Sequence, residues 1–238
     1  MFVLIADSHV TPGTPLETTF FTMLDRIAQT DYDVIFLGDN LDIWIAAAPK
    51  YENALHRRFL DWCKREKTRR RVVFVEGNHE FYVCRHHADC FSDCVETVFR
   101  LPGISFIHGD AAHPALSFHR FFRAFAKNWF GDTIMSIMPG GLHFAMLMKR
   151  LLAHGALRKN VPCDYIPYDA VDRWSMAENA VSGAKIVFMG HFHCGGHHEL
   201  EHVRYVILKA WTYTENVALL DENTMDFTID AWENILHA

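Results

Sequence analysis

Val34-Ile-Phe-Leu-Gly-Asp-Asn-Leu-Asp-Ile-Trp44 is an apolar run that stops at Gly38 and delivers Asp39. A short β-branched and aromatic run bounded by glycine predicts a buried strand. The residue just past the C-terminal end of such a strand sits where open α/β sheets place their ligands. The pattern recurs along the chain. Phe2-Val-Leu-Ile-Ala6 runs into Asp7-Ser-His9, and Val72-Val-Phe-Val75 into Gly77-Asn-His-Glu80. Ile104-Ser-Phe-Ile107 runs into His108-Gly-Asp110, and Ile186-Val-Phe-Met189 into Gly190-His-Phe-His193. Five buried strands thus hand side chains of metal-ligating type to one rim.

Those strand ends offer Asp7, His9, Asp39, Asn78, His108, His191 and His193. Carboxylate, amide oxygen and imidazole together suit borderline divalent ions, Mn²⁺ first, with Fe²⁺ or Zn²⁺ as alternatives, and require no thiolate. Seven ligands are too many for one ion, so two ions sharing a bridging carboxylate, roughly 3.5–4 Å apart, are expected. Glycines before Asp39, Asn78 and His191 are expected to allow the turns that re-aim each ligand. Taken singly, a Gly-Asp or an Asp-x-His is more often a surface turn. Five in series after strands carry the functional reading.

At 238 residues, half of them apolar, the chain can bury one sizeable core. A formal charge of −6 argues against bulk nucleic-acid affinity. Leu16 to Ala28 and Tyr51 to Lys67 carry apolar residues at helical spacing between the strands, which implies parallel pairing. From Val203 onward, strands follow one another at Tyr205–Leu208, Val217–Leu220 and Met225–Ile229, with a tight hairpin turn at Glu222-Asn223. The expected architecture is a mixed two-sheet sandwich with outer helices, one domain over residues 1–238.

A helical insertion at about 112–182 interrupts this rhythm, with helices expected at Leu116–Phe130, Leu142–Leu152 and Tyr168–Val181. It is read as a cap over the rim. Arg120, Arg123, Lys127, Lys149, Arg150, Arg158 and Lys159 face a single acid, Asp132, between Ala111 and Cys163. Such a segment is either a helix that packs its aromatic face on the core with its charges solvated, or an amphipathic lid that shelters acyl chains and meets an anionic membrane surface.

The six cysteines show no C-x-x-C pair and are expected to be reduced thiols of a cytoplasmic protein, peripheral at most at the inner membrane. The N-terminus enters a strand at once, without a basic leader, and no apolar run reaches the roughly 18 residues of a membrane span. His86, His87, His113, His197, His198 and His202 are read as solvent histidines, and Arg69-Arg-Arg71 as a solvated helix end.

Asp7-Ser-His9, Gly38-Asp-Asn-Leu-Asp42, Gly77-Asn-His-Glu80, His108-Gly-Asp110 and Gly190-His-Phe-His193 resemble, in order, the five motifs of the calcineurin-like metallophosphoesterases. The resemblance implies an αββα sandwich and a dinuclear centre. Asp7, His9, Asp39 and His193 would hold one ion; Asp39, Asn78, His108 and His191 would hold the other. Leu37-Gly-Asp-Asn-Leu-Asp-Ile-Trp-Ile45, His-Glu-Leu at 198–200 and Lys209-Ala-Trp211 are similar to signatures of the UDP-2,3-diacylglucosamine diphosphatases of the lipid A pathway. That implies an acylated nucleotide-sugar diphosphate as substrate. His79 and the shared Asp39 are the catalytic candidates, with Asn78, His79 and His191 meeting the substrate. His79 would stabilise or protonate the leaving oxygen. Asp42 and Glu80 are expected to orient ligating imidazoles, or else to be ordinary helix N-terminal acids.

Overall fold

The computed structural model describes residues 1–112, 129–137, 139 and 165–237. Among them the strands are β1 (Phe2–Ile5), β2 (Asp33–Phe36), β3 (Trp44–Ile45), β4 (Val72–Val75), β5 (Glu80–Phe81), β6 (Asp93–Val95), β7 (Val98–Leu101), β8 (Ile104–Ile107), β9 (Ile186–Met189), β10 (Gly196–Glu199), β11 (Arg204–Ile207), β12 (Asn216–Leu220) and β13 (Phe227–Ala231). One sheet has the order β13-β12-β1-β2-β4-β6, the other β10-β11-β9-β8-β7. β1, β2, β4 and β6 run parallel, as do β8, β9 and β11.

Two-residue alternation sorts each strand between two cores. Phe2, Leu4, Ile35, Leu37, Val73 and Val75 face Ile104, Phe106, Ile186 and Phe188 of the other sheet. Phe106 and Phe188 stack at 5.7 Å between centroids across β8 and β9. Val3, Ile5, Val34, Phe36, Val72 and Phe74 face outward onto α1 (Pro15–Ile27) and α2 (Ala54–Glu66). On the far side, Ile107, Val187, Met189 and Ile207 pack beneath Val171 and Trp174 of the helix Tyr168–Ser182. Each fully buried aliphatic or aromatic side chain of these layers stabilises the fold by about 1.5–3 kcal/mol. The four layers, helix–sheet–sheet–helix, are those expected.

Several details differ. β12 and β13 are joined by residues 221–226, where the Met225 amide donates to the Asp221 carbonyl, and not by a tight turn at Glu222-Asn223. Arg70 is buried: it donates to Glu66 Oε2 at 3.0 Å and to the carbonyls of Ala28, Thr30 and Tyr32, so Arg69-Arg-Arg71 is not simply a solvated end. Cys84 and Cys94 are paired as a disulfide, with Cα atoms 5.2 Å apart, against the expectation of reduced thiols. The short helix Val83–His86 and β6 turn the chain back on itself over ten residues, which brings the two cysteines within bonding distance. His87 donates to Glu52 and stacks on Trp44, while His86 contacts Asp132 at 2.9 Å; neither is a plain solvent histidine.

Of the insertion, the helix Tyr168–Ser182 lies where expected. A helix at Trp129–Ile137 continues past the expected end at Phe130, and it docks through Tyr51 Oη to the Met135 carbonyl and Lys50 Nζ to that of Ser136. Most of the helix Leu116–Phe130, all of Leu142–Leu152, His113 and the seven basic residues lie outside the described residues. Among the described residues no helix is long and apolar enough to cross a membrane.

Candidate metal centre

Parallel pairing puts the C-terminal ends of β1, β2 and β4 on one edge, and those of β8 and β9 on the matching edge of the second sheet. The β1–β2 ladder continues into the loops: the Asp7 amide donates to the Gly38 carbonyl at 3.1 Å and the His9 amide to that of Asp39 at 2.9 Å. The chain then turns hard. Asp7, His9, Asp39, His191 and His193 have φ of 54°, 44°, 52°, 71° and 61°. A left-handed non-glycine residue costs about 1–2 kcal/mol. The sandwich sustains that strain at five of the seven expected ligands, as functional sites do.

Each carboxylate is oriented by the loop that carries another of the expected ligands. Asp39 Oδ1 accepts from the His79 amide at 2.8 Å, and Asp7 Oδ2 from the His191 amide at 2.8 Å. Their other oxygens face the imidazoles. Asp39 Oδ2 lies 3.5 Å from His108 Nε2 and 4.0 Å from the Nε2 atoms of His9 and His79. Asp7 Oδ1 lies 3.7 Å from His193 Nε2 and 4.0 Å from His9 Nε2. Two of the expected glycine roles change accordingly. Gly38 does turn with φ +82°, but Gly77 and Gly190 are there for proximity: a Cβ would fall 2.1 Å from Asp39 Oδ1 or 2.4 Å from Asp7 Oδ2.

His108 Nδ1 donates to the Leu37 carbonyl at 2.9 Å, which turns Nε2 inward to within 3.0 Å of Asn78 Oδ1. The His191 ring centroid is 5.1 Å from that of His108. All seven side chains named from the sequence therefore meet at one rim. Glu80 sits among them with a different task from the one expected. Fully buried, it accepts from the amides of Asp39, Asn40 and Gly77, binding two ligand loops together and not orienting an imidazole. A carboxylate three residues past Gly77 was the signal for it. The Asp42 carbonyl accepts from His79 Nδ1, and its carboxylate groups with His9 and His79.

The donor set fits divalent cations. Asp7 Oδ1 is buried without a hydrogen-bond partner. Burial raises the Asp7 carboxyl to about 8, and the Asp39 charge adds to this against the pull of His108. Burial lowers His9 to about 4, which leaves its imidazole neutral with a lone pair to give. Burial alone would also raise Asp39, but His108 and His79 hold it well below the usual range. Asp7–His9–His193 and Asp7–Asp39–His108 each bring their ligand atoms within 4.8 Å of one another. A cation supplies the compensating charge that a desolvated carboxylate lacks.

The calcineurin-like phosphoesterase family model matches residues 1–195. The chain belongs to that family. It is accordingly a metal-dependent hydrolase of phosphoester type, and the family implies divalent metal ions. Among solved structures, a novel archaeal phosphodiesterase is 9% identical, with 96% of this chain and 97% of that one covered at a TM-score of 0.49. A single mutant of Vps29 from Entamoeba histolytica is 15% identical over 96% of this chain and 89% of that one, with a TM-score of 0.47. The nuclease MPE of Pseudomonas putida is 31% identical, covering 43% of this chain and 51% of that one at 0.31. No curated protein matches the chain.

Proposed function

We propose that this calcineurin-like phosphoesterase uses two divalent ions, Mn²⁺ first, to split the diphosphate of UDP-2,3-diacylglucosamine into UMP and 2,3-diacylglucosamine 1-phosphate. The observation that carries the dinuclear part is Asp39 Oδ2, within 4.0 Å of both His9 and His108 Nε2, at the junction of the two ligand groups. Asp7, His9, Asp39 and His193 would hold one ion, and Asp39, Asn78, His108 and His191 the other. When bound, such ions supply charge neutralisation to the phosphoryl oxygens and acidify water.

The protein's own part is orientation and proton transfer. The Asp7 and Asp39 carboxylates are locked by backbone amides, so their free oxygens need no reorganisation as substrate arrives. His79 gives Nδ1–H to the Asp42 carbonyl and presents Nε2 to the rim. Protonated there, it donates to the oxygen that leaves phosphorus as the P–O bond breaks.

The substrate itself is read from the resemblance of Leu37–Ile45, 198–200 and Lys209-Ala-Trp211. Trp44 and Trp211 in these signatures are fully buried, so they shape the rim from beneath. A second reading, hydrolysis of another phosphodiester, diphosphate or nucleotide, is favoured by Gly77-Asn-His-Glu80, the general phosphoesterase form where the diphosphatases often carry Gly-Asn-Arg-Asp. The basic, apolar insertion would bring the enzyme to an anionic membrane surface on the cytoplasmic side, where acylated substrate resides. Assaying the acylated UDP-sugar beside bis(p-nitrophenyl) phosphate with Mn²⁺ separates the readings. Turnover of the diester alone removes the diphosphatase, and turnover of neither removes both. Sedimentation with anionic vesicles at low salt tests the membrane contact.

A further inference from the structure

The short helix Trp211–Thr214 is fastened to two of the ligand loops. The Ala210 amide donates to the His193 carbonyl at 3.0 Å, that of Trp211 to Ala6 at 3.0 Å and that of Thr212 to Asp7 at 3.2 Å. Trp211 itself is fully buried, edge-on to Phe20 at 5.5 Å. Two residues on, Tyr213 is 74% exposed, although its backbone is held by this anchor. Its ring centroid lies 6.0 Å from that of His193, with the planes at 62°. A single exposed aromatic is ordinary on a protein surface. One whose backbone is pinned to the loops of Asp7 and His193, with its ring beside a ligand imidazole, is positioned.

We propose that Tyr213 is the surface on which the substrate's planar aromatic group stacks, which makes it a specificity residue for esters of nucleoside or aryl phosphates. The proposal rests on the phosphoesterase reading above and deepens it. A phosphoryl group held at His193 leaves its ester substituent within reach of the Tyr213 ring. Because that ring is inclined to the imidazole, a planar group can lie on it without displacing the ligand. Tyrosine brings a large flat face at low conformational cost, having two side-chain torsions to fix, and its backbone is already ordered. Stacking tolerates any base, so the residue selects flatness and not a hydrogen-bonding edge.

The test is calorimetric binding to the full-length, Mn²⁺-loaded protein, with two ligand pairs: UMP against ribose 5-phosphate, and phenyl phosphate against methyl phosphate. Base–aromatic stacking predicts that the wild type prefers the flat member of a pair by on the order of tenfold. Tyr213→Ala should erase that preference without changing affinity for the non-aromatic member, and Tyr213→Phe should retain it. A gap dependent on Tyr213 in the UMP pair assigns the surface to nucleotides; one in the phenyl pair alone assigns it to aryl esters. No preference in the wild type, a preference untouched by Tyr213→Ala, or equal weakening of both members overturns the proposal. If the preference behaves as expected while no phosphoester is hydrolysed, the stacking surface stands and the hydrolytic reading falls.

Discussion

A single backbone contact sets the orientation of His79. Its Nδ1 is spent on the Asp42 carbonyl, so the remaining nitrogen stands 4.0 Å from Asp39 Oδ2, at the rim and not locked to the carboxylate. A side chain buried like that of His108 would be poorly placed to exchange protons with a leaving group, whereas the His79 side chain retains 31% exposure. His79→Gln should therefore lower kcat by about 10²–10⁴. Metal content, measured by elemental analysis of the purified protein, should stay at the wild-type level. Unchanged turnover would remove His79 from the chemistry, and loss of metal would make it a ligand instead.

At the scale of loops and strands, the centre depends on backbone coming closer to carboxylate than a side chain permits. Gly190→Ala puts a methyl 2.4 Å from Asp7 Oδ2 and 2.9 Å from the Ala6 Cβ, in a buried layer with nowhere to relax. Asp7 must then give up its hydrogen bond from the His191 amide. Misorienting a ligand in this way typically costs about 10–100-fold in metal affinity. Mn²⁺ titration should show a drop of that order with the circular dichroism spectrum unchanged; wild-type affinity would mean the loop yields easily. Arg70 is the contrasting case, an element-joining residue away from the chemistry. It ties α2, through Glu66, to the carbonyls of residues 28, 30 and 32 ahead of β2. Arg70→Met keeps the aliphatic stem but removes the buried partner of Glu66 Oε2, while Arg65 Nε still donates to Oε1 at 3.1 Å, and losing such a charged hydrogen bond costs about 1.5–3 kcal/mol. The urea midpoint should fall accordingly, with activity per folded molecule intact; an unshifted midpoint would show the pair to be dispensable.

For the molecule as a whole, the strand ends were legible because a buried apolar run and the glycine or ligand after it are both local signals. Five strands and seven rim side chains follow from that grammar, and the alternation within Phe2–Ile5 already separates the two cores. What stayed hidden depends on partners distant in sequence or on very short elements. β3 and β5 are two residues each, and β7 matters only as the antiparallel neighbour of β8. Nothing local tells that Gly77 is fitted to Asp39, that Arg70 meets three carbonyls, or that Cys84 meets Cys94. His87 is the sharpest instance, a histidine that reads as surface yet braces the fold, donating to Glu52 and lying flat against Trp44 at 5.8 Å. Burial alone would lower its pKa, but hydrogen bonds to Cys90 and Glu52, and the Glu52 charge, lift it to about 9. A folded pKa above the unfolded one stabilises fully below the unfolded value, roughly 6.5, and loses that contribution as pH rises through the folded value. Wild type should therefore exceed His87→Gln in urea midpoint at pH 6, with the gap closing between about pH 6.5 and 9. Comparing the two proteins at each pH cancels the other titrating groups they share. A gap that stays constant across the window would mean that His87 holds Trp44 by packing alone, with its charge contributing nothing.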